Sequence, residues 1–469
     1  MLPSMDGPGN ASSQRLAGIY LRAFLWVLFA VWLLWQIGLE SIDGHPTPFY
    51  ALYSPVKAAG PLFWATGLQA LLLGCGWAVY RRAISGDTAP RRREVWRTLA
   101  GLAAFAFAYA AAVAAMRGGL DGFSQAYSRQ AYEYIGDIGL GGSIRGLFRD
   151  YNAIHPYLSM HAKVHPPGPV AILWVLSFVA GREPLALSLA TMAVGATAVV
   201  PLYWWVRDMF DHATGVTACM VYVLMPSIAL FTATSADILF MPLTITSLFL
   251  FWRAITRGTA VYALAAGAVY ALMSLMSFSL IGVGAFFGFI GLWKLRDPAS
   301  RFAVVKTAVL MALSLAAVHA AIYWWSGFDA IECFRLAKQQ FDLDQHHLDL
   351  YSPRWPSWTW KFLNPLSMAY FAGIPVTVLA LSRLRRPGSG PRPLFLVVAL
   401  TLATLDILYL ARGEGERSAM YVLPFAAVLA AHRLEEIRRA AGSPAPAAVT
   451  ATFLAFQCWF TEAVFYTYW

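Results

Sequence analysis

Charge is scarce in this chain. Only 13% of its 469 residues are Asp, Glu, Lys or Arg, while 59% are hydrophobic and the mean hydropathy is +0.56. A water-soluble domain cannot cover so apolar a composition with polar surface, so a soluble class is excluded and the bilayer becomes part of the solvent. Cysteine is scarce too. Cys75, Cys219, Cys333 and Cys458 are scattered, three of them in apolar segments, with no CxxC or Cys/His spacing. That excludes a disulfide framework and a cysteine-built zinc site. There is no internal repeat and no stretch that reads as a soluble domain. The first apolar run, from about Ile19 to Leu39, is too long for a signal-peptide core and lacks a small-residue cleavage site, so it reads as a retained helix.

What is present is a series of apolar runs. They lie near 18–39, 60–80, 98–116, 185–206, 214–231, 236–252, 303–325, 365–382, 394–411, 419–432 and 447–463. The block 258–294 is long enough for two more, and a short run, 169–180, follows a Pro-Pro-Gly-Pro knot. With roughly 20 apolar residues per crossing, the expectation is an all-α polytopic membrane protein of about 13 helices. The net charge of +10 is carried largely by arginines in short loops. In a membrane protein that pattern sets topology rather than binding nucleic acid, so no nucleic-acid partner is expected. The basic loops 81–97, 294–301, 382–392 and 432–439 should be cytoplasmic, which leaves 40–59, 117–165, 326–364 and 412–418 outside, with 117–165 and 326–364 the two long ones. One inconsistency follows. With 165 outside and 207–213 inside, the two runs between them give the wrong parity, unless the 169–180 helix fails to cross or 207–213 is misplaced.

The two outer segments are polar and aromatic together. Both read as amphipathic helices lying at the interface. Acids, bases and histidines gather there, where topology does not require them. In "AYEYIGDI", Glu133 and Asp137 stand at i and i+4, one face of a helix, where like charges repel unless they serve a cation, a shared proton or the nearby Arg129 and Arg145. In "HAKVHPPGP", Pro166 and Pro167 hold the backbone extended and keep His165 out of the helical region. His161, Lys163 and His165 would then stand beside a helix N-terminus, a setting that suits a phosphate or carboxylate. "ARGEGERSAMY" places Arg412 and Arg417 around Glu414 and Glu416, and Asp406 lies two turns earlier in an apolar run. His346-His347 is a weak metal signal, since adjacent side chains diverge.

An acidic outer loop that ends in His-Pro-Pro at the next helix resembles the GT-C membrane glycosyltransferases, in particular protein O-mannosyltransferases and lipid A aminoarabinose transferases. "HPPGP" at 165–169, "PSIALFTATSADILF" at 226–240 and "GEGERSAMY" at 413–421 carry the resemblance. Two departures stand out: two helices are added in front, and the frequent Asp-Glu dipeptide is absent. The resemblance implies a GT-C-like module over 98–440, preceded by a tail and two added helices (1–97) and followed by a last helix (441–469). It also implies transfer of a sugar, with inversion, from a polyprenyl-phosphate donor to a hydroxyl of a glycan, lipid or protein acceptor. The setting would be the extracytoplasmic face of a bacterial inner membrane, with membrane lipids around it. Asp137 is the first candidate for the base, then Glu133 and Asp121. Lys163, His165, Arg412, Arg417 and His161 would hold the donor phosphate, and Asp237, Glu414 and Glu416 would support the acceptor. A divalent metal is allowed but not demanded. A transporter or flippase of a lipid-linked anion is the alternative, with Asp406 as its main intramembrane candidate.

Overall fold

In bilayer hydrocarbon the backbone must satisfy its own hydrogen bonds, and a chain this apolar does so by coiling into helices. The computed structural model describes residues 8–36, 63–85, 90–351, 357–385, 392–408, 415–465 and 467, and among them it holds helices and no β-strand. Among the described residues, seven helices are long and apolar enough to span a membrane by themselves, or eight if the bent pair Trp360–Ala372 and Ile374–Arg385 counts as one. That pair breaks by 108°. The number is below the 13 or so expected because several apolar runs fold as shorter pieces. The 214–231 run, for example, divides into His212–Val223 and Pro226–Phe231 at Pro226, which offers no N–H to continue the first helix.

The helices pack as an integral membrane bundle whose lipid-facing surface is apolar. Val179, Trp324 and Trp26 are exposed, while Tyr203, Trp205, Phe286 and Phe425 are fully buried. Close approach relies on small residues. A Cβ on Gly267, in the Ala260–Ser274 helix, would lie 2.4 Å from the Met311 carbonyl of the Arg301–Ser326 helix.

Two ends of the bundle are distinct. At one, the basic helix ends meet. Arg439 reaches Asp211 at 2.6 Å, His212 Nε2 donates to the Ala83 carbonyl at 3.1 Å, and Arg253 holds Asp208 at 2.6 Å. Loop 207–213 therefore belongs with the arginine-rich loops, as its sequence suggested. At the other end lies a polar cap made of residues 119–167, the turn at 232–239 and the segment 415–418.

The parity problem is resolved by the Gly168–Ala180 helix. Its 13 residues are about 20 Å long at 1.5 Å per residue. It starts beside the polar cap, and the Arg182 guanidinium just past its end lies within 3.5 Å of the Cβ position of Gly139, in that same cap. Both ends of this helix touch one end of the bundle, so it does not cross. The span Pro184–Met209 then crosses once to the arginine-rich end.

Segment 117–165 forms short helical pieces, among them Asp121–Ser128 and Ile144–Asp150. Segment 326–364 does contain a long polar helix, Ala330–Tyr351.

Candidate active site

The cap is stitched by backbone bonds before any side chain acts. Met160 N–H donates to the Ala131 carbonyl and His161 N–H to the Tyr132 carbonyl, both at 3.0 Å. This brings the acid-bearing turn against the histidine arm. Glu133 and Asp137 do not share an α-helical face, contrary to the sequence expectation. Glu133 is extended (φ −101°, ψ 152°) and caps a 3-10 turn, Tyr134–Asp137. The two carboxylates therefore part. Glu133, buried, approaches His161, its Oε2 lying 3.3 Å from Nδ1. Asp137, also buried, accepts the Ser159 hydroxyl at 2.6 Å and the Ser159 N–H at 3.0 Å. Burial raises the Asp137 pKa, while the Ser159 bonds and the Lys163 charge work against the rise. Asp137 is thus committed to holding the loop. Asp121 begins its helix exposed, and neither Arg129 nor Arg145 forms an ion pair with these acids among the described residues.

Tyr151 fixes the histidine arm from below. Its buried hydroxyl lies 2.9 Å from the Ala162 carbonyl and 3.1 Å from the His165 carbonyl, and its proton serves both. His155 Nε2 lies 2.9 Å from the Lys163 carbonyl. A carbonyl only accepts, so that imidazole carries its proton on Nε2. Tyr134, buried, packs against both His161 and His165, with ring centroids 5.9 and 5.7 Å away.

The Pro-Pro-Gly-Pro knot acts differently from the sequence expectation. Pro167 is in the helical region (φ −67°, ψ −9°), not extended. Gly168 N–H donates to the Leu275 carbonyl at 2.9 Å, and a Cβ on Gly168 would sit 2.2 Å from that oxygen. Pro169 has no N–H. The helix start therefore does not present the row of free N–H groups expected of an anion site. His165 is also not the expected cation. Burial lowers its pKa to about 4, so it is neutral near pH 7, and its Nδ1 is buried with no hydrogen-bond partner among the described residues.

The remaining members come from far along the chain. Asp237 sits in a short 3-10 turn, Ala236–Leu239, initiated by Ser235, whose hydroxyl accepts the Asp237 N–H at 3.1 Å. Arg417 belongs to the short helix Gly415–Ser418. Both are buried, with Arg417 Nε 3.4 Å from Asp237 Oδ2. The charges of Asp237, His161 and Arg417 all act on His165, and those of Asp237, Glu133 and Arg417 on Tyr134, so these groups form one cluster. Glu416 faces away from it. Its Oε2 accepts from Ser367 at 2.9 Å and its carbonyl accepts from Ser227. Arg412 and Glu414 lie outside the described residues. Asp406 lies in the Arg392–Leu408 helix, next to Ile407, whose carbonyl takes Lys361 Nζ at 2.8 Å.

The structure thus brings together Glu133, His161, His165, Asp237 and Arg417, with Lys163 alongside. It does not bring in Asp121 or Glu416. Sequence reasoning missed Tyr134, Tyr151, Ser159, Ser227 and Ser367. Only Ser159, placed before the short helix Met160–Lys163, carried a local signal, and it acts instead on Asp137. Among the described residues no group of three His, Cys, Asp or Glu side chains is arranged to hold a metal.

Comparisons with known proteins follow this geometry. Residues 164–324, about a third of the chain, match the family described as dolichyl-phosphate-mannose-protein mannosyltransferase. A search of curated proteins gives no significant match. Two solved structures are similar. One is the Archaeoglobus fulgidus oligosaccharyltransferase in complex with Zn and sulfate, at 15% identity and TM-score 0.43, covering 64% of this chain and 44% of that one. The other is the archaeal oligosaccharyltransferase AglB from the same organism, with an inhibitory peptide and a dolichol-phosphate, at 12% identity and TM-score 0.48, covering 86% and 55%. The chain spans about half the length of these two proteins. The stretch that opens at the histidine arm and runs through Asp237 is thus the part of this all-helical membrane chain that is similar to the dolichyl-phosphate-mannose-protein mannosyltransferase family.

Proposed function

We propose that the chain is an integral membrane glycosyltransferase. It moves a sugar from a polyprenyl-phosphate donor to an acceptor hydroxyl, with inversion, at the polar cap. The cap would face away from the cytoplasm, because the arginine-rich loops occupy the other end. The observation that carries this reading is the convergence of Glu133, His161, His165, Asp237 and Arg417 from widely separated segments.

In this reading the acceptor oxygen attacks the anomeric carbon while the bond from that carbon to the phosphate oxygen breaks. The acceptor proton passes to Glu133. We assign the base to Glu133 rather than Asp137, since Asp137 is already occupied by Ser159. His161 lies against the Glu133 carboxylate and orients it. Arg417 and Lys163 meet the charge that grows on the departing phosphate, and Asp237 orients the Arg417 guanidinium. His165 contributes as a neutral imidazole. One ring nitrogen meets the Met276 backbone carbonyl and so carries the proton, which leaves Nδ1 as an acceptor for a hydroxyl of the sugar or the acceptor. No step is routed through a metal, because the described residues do not assemble a ligand set.

The test uses the full chain in vesicles, with a polyprenyl-phosphate hexose and membrane extract as the acceptor source. Wild type should release polyprenyl phosphate, and Glu133→Gln should lose on the order of 10²–10⁴-fold in turnover, the usual range for a general base. Full turnover in Glu133→Gln with a dead Asp137→Asn would return the base to Asp137. Full turnover in both would end this mechanism. Sidedness is read by an impermeant thiol reagent on Ser128→Cys at the cap and Ser85→Cys at the opposite end. Labelling of Ser85→Cys alone from the outside would invert the assignment.

A further inference from the structure

Away from the cap, at the arginine-rich end, three guanidinium groups share one aromatic cradle. Arg207 and Arg253 both lie over the Trp204 ring, 4.9 and 6.0 Å from its centroid. Arg253 and Arg257 both lie over the Tyr262 ring, at 5.5 and 5.9 Å. Arg253 also sits on Phe249 at 4.4 Å. The carboxylate that touches these groups among the described residues is Asp208, 2.6 Å from Arg253 and 3.7 Å from Arg257. Arg207 has no carboxylate partner among the described residues. The cluster therefore carries three positive charges against one negative.

The groups differ in what they have left to give. Arg253 is well used: it makes two contacts to Asp208, at 2.6 and 3.5 Å, and donates to the Tyr262 hydroxyl at 3.3 Å. Arg257 is half exposed, with 51% of its side chain accessible, and its one ion pair is long. Arg207 is half-buried against rings. A guanidinium stacked on an aromatic face keeps its in-plane N–H donors for a second ligand and loses little freedom on binding it. The cradle stands where apolar spans end, at the last turn of Val199–Met209 and of Phe240–Arg257. That is headgroup depth, where Trp and Tyr are favoured.

We propose that Arg207 and Arg257, set by Trp204, Tyr262 and the Arg253–Asp208 pair, form a binding site for the phosphate of an anionic phospholipid headgroup. A lipid fits better than a free phosphate, because the apolar helix surfaces directly below the cradle would take the acyl chains.

The test is native mass spectrometry and thermal melting of the full-length protein, with phosphatidylglycerol, phosphatidylcholine and inorganic phosphate offered separately. Phosphatidylglycerol should be retained and should raise Tm, while phosphatidylcholine should do neither. The double variant Arg207→Gln/Arg257→Gln should bind phosphatidylglycerol at least about tenfold more weakly, given the strength of charge-assisted hydrogen bonds. Lysine at both positions should restore only part of it. Arg81→Gln/Arg82→Gln removes the same charge from exposed arginines at the same end and should leave retention unchanged. An equal loss in that control would mean that only diffuse charge matters, and would overturn the site. Equal retention of the two lipids, or a Tm rise with inorganic phosphate as large as that with phosphatidylglycerol, would also overturn it. Should the double variant fold poorly, Arg207→Gln alone must show the same loss.

Discussion

The two ends of the bundle use the same side chains to opposite effect. At the arginine-rich end, carboxylates are closed by short contacts, many of them local. Glu435 meets Arg438 at 2.8 Å, Glu436 meets Arg433 at 3.0 Å and Arg383 at 2.9 Å, and Asp211 meets Arg439 at 2.6 Å. Glu435 also accepts the Thr217 hydroxyl at 2.6 Å, so its buried charge is well compensated. At the polar cap the carboxylate contacts that bring the cluster together are longer. Glu133 and His161 are 3.3 Å apart, Asp237 and Arg417 3.4 Å, and His165 Nδ1 has no partner among the described residues. A buried polar group left short of partners is costly. The cap, with its looser pairs and a buried imidazole nitrogen that has no partner among the described residues, is the end suited to receive charge and hydrogen bonds from a ligand.

The comparison breaks most sharply on Glu133→Gln. The expected outcome is a folded, inserted protein with turnover reduced about 10²–10⁴-fold, read as donor consumption per folded molecule. Its counterpart at the other end is Glu435→Gln. Removing one partner of a buried pair costs about 3–5 kcal/mol, so this variant should lose folded protein, measured by detergent melting, while turnover per folded molecule holds. If Glu435→Gln abolished turnover without loss of fold, the division of labour between the ends would be wrong.

Gly168→Ala tests how the cap is seated on the bundle. The new methyl meets the Leu275 carbonyl, and overpacking of this kind costs about 1–3 kcal/mol. The shift should also displace His165 and raise KM for the donor, measured on the folded fraction. Stability against pH sharpens the account of the cap. His165 is lowered from 6.5 to about 4, so the unfolded chain takes up its proton first. Its contribution is present above 6.5 and is lost as pH falls toward 4. Asp137 is raised, so its contribution runs the other way: it is greatest at low pH and is lost as pH rises through the elevated value. In Tm-against-pH curves, His165→Asn should flatten the acid limb between about 6.5 and 4, and Asp137→Asn should remove the opposing slope. The smallest effect belongs to the exposed pair Lys338–Asp342 on the Ala330–Tyr351 helix, at 2.5 Å. Lys338→Ala should cost about 0.3–0.5 kcal/mol, and a larger loss would mean that this helix contacts something beyond the described residues.

Much of the architecture was legible. Apolar runs in a chain this poor in charge had to become membrane helices, and the arginine loops do gather at one end. The count of crossings was not legible, because an apolar run has the same composition whether it spans, bends as at Gly373, or stops short as Gly168–Ala180 does. The site was half legible. His161, His165, Asp237 and Arg417 stood out as polar groups at helix ends, but Glu133 and Asp137 looked equivalent. Their i, i+4 spacing has meaning only on an α-helix, and the chain makes a 3-10 turn there instead.

By itself the sequence determined the solvent, the helical class, the basic end and the identity of the polar groups at the other end. These follow from local composition, which each segment carries wherever it is placed. Tertiary structure alone decided that Asp137 would serve Ser159 while Glu133 turned to His161. It decided too that Gly168 would spend its N–H on Leu275, and that Asp237 and Arg417, 180 positions apart in the chain, would meet. Those outcomes depend on which helices pack together, and in an apolar bundle that is settled by shape and close contact, which composition does not record.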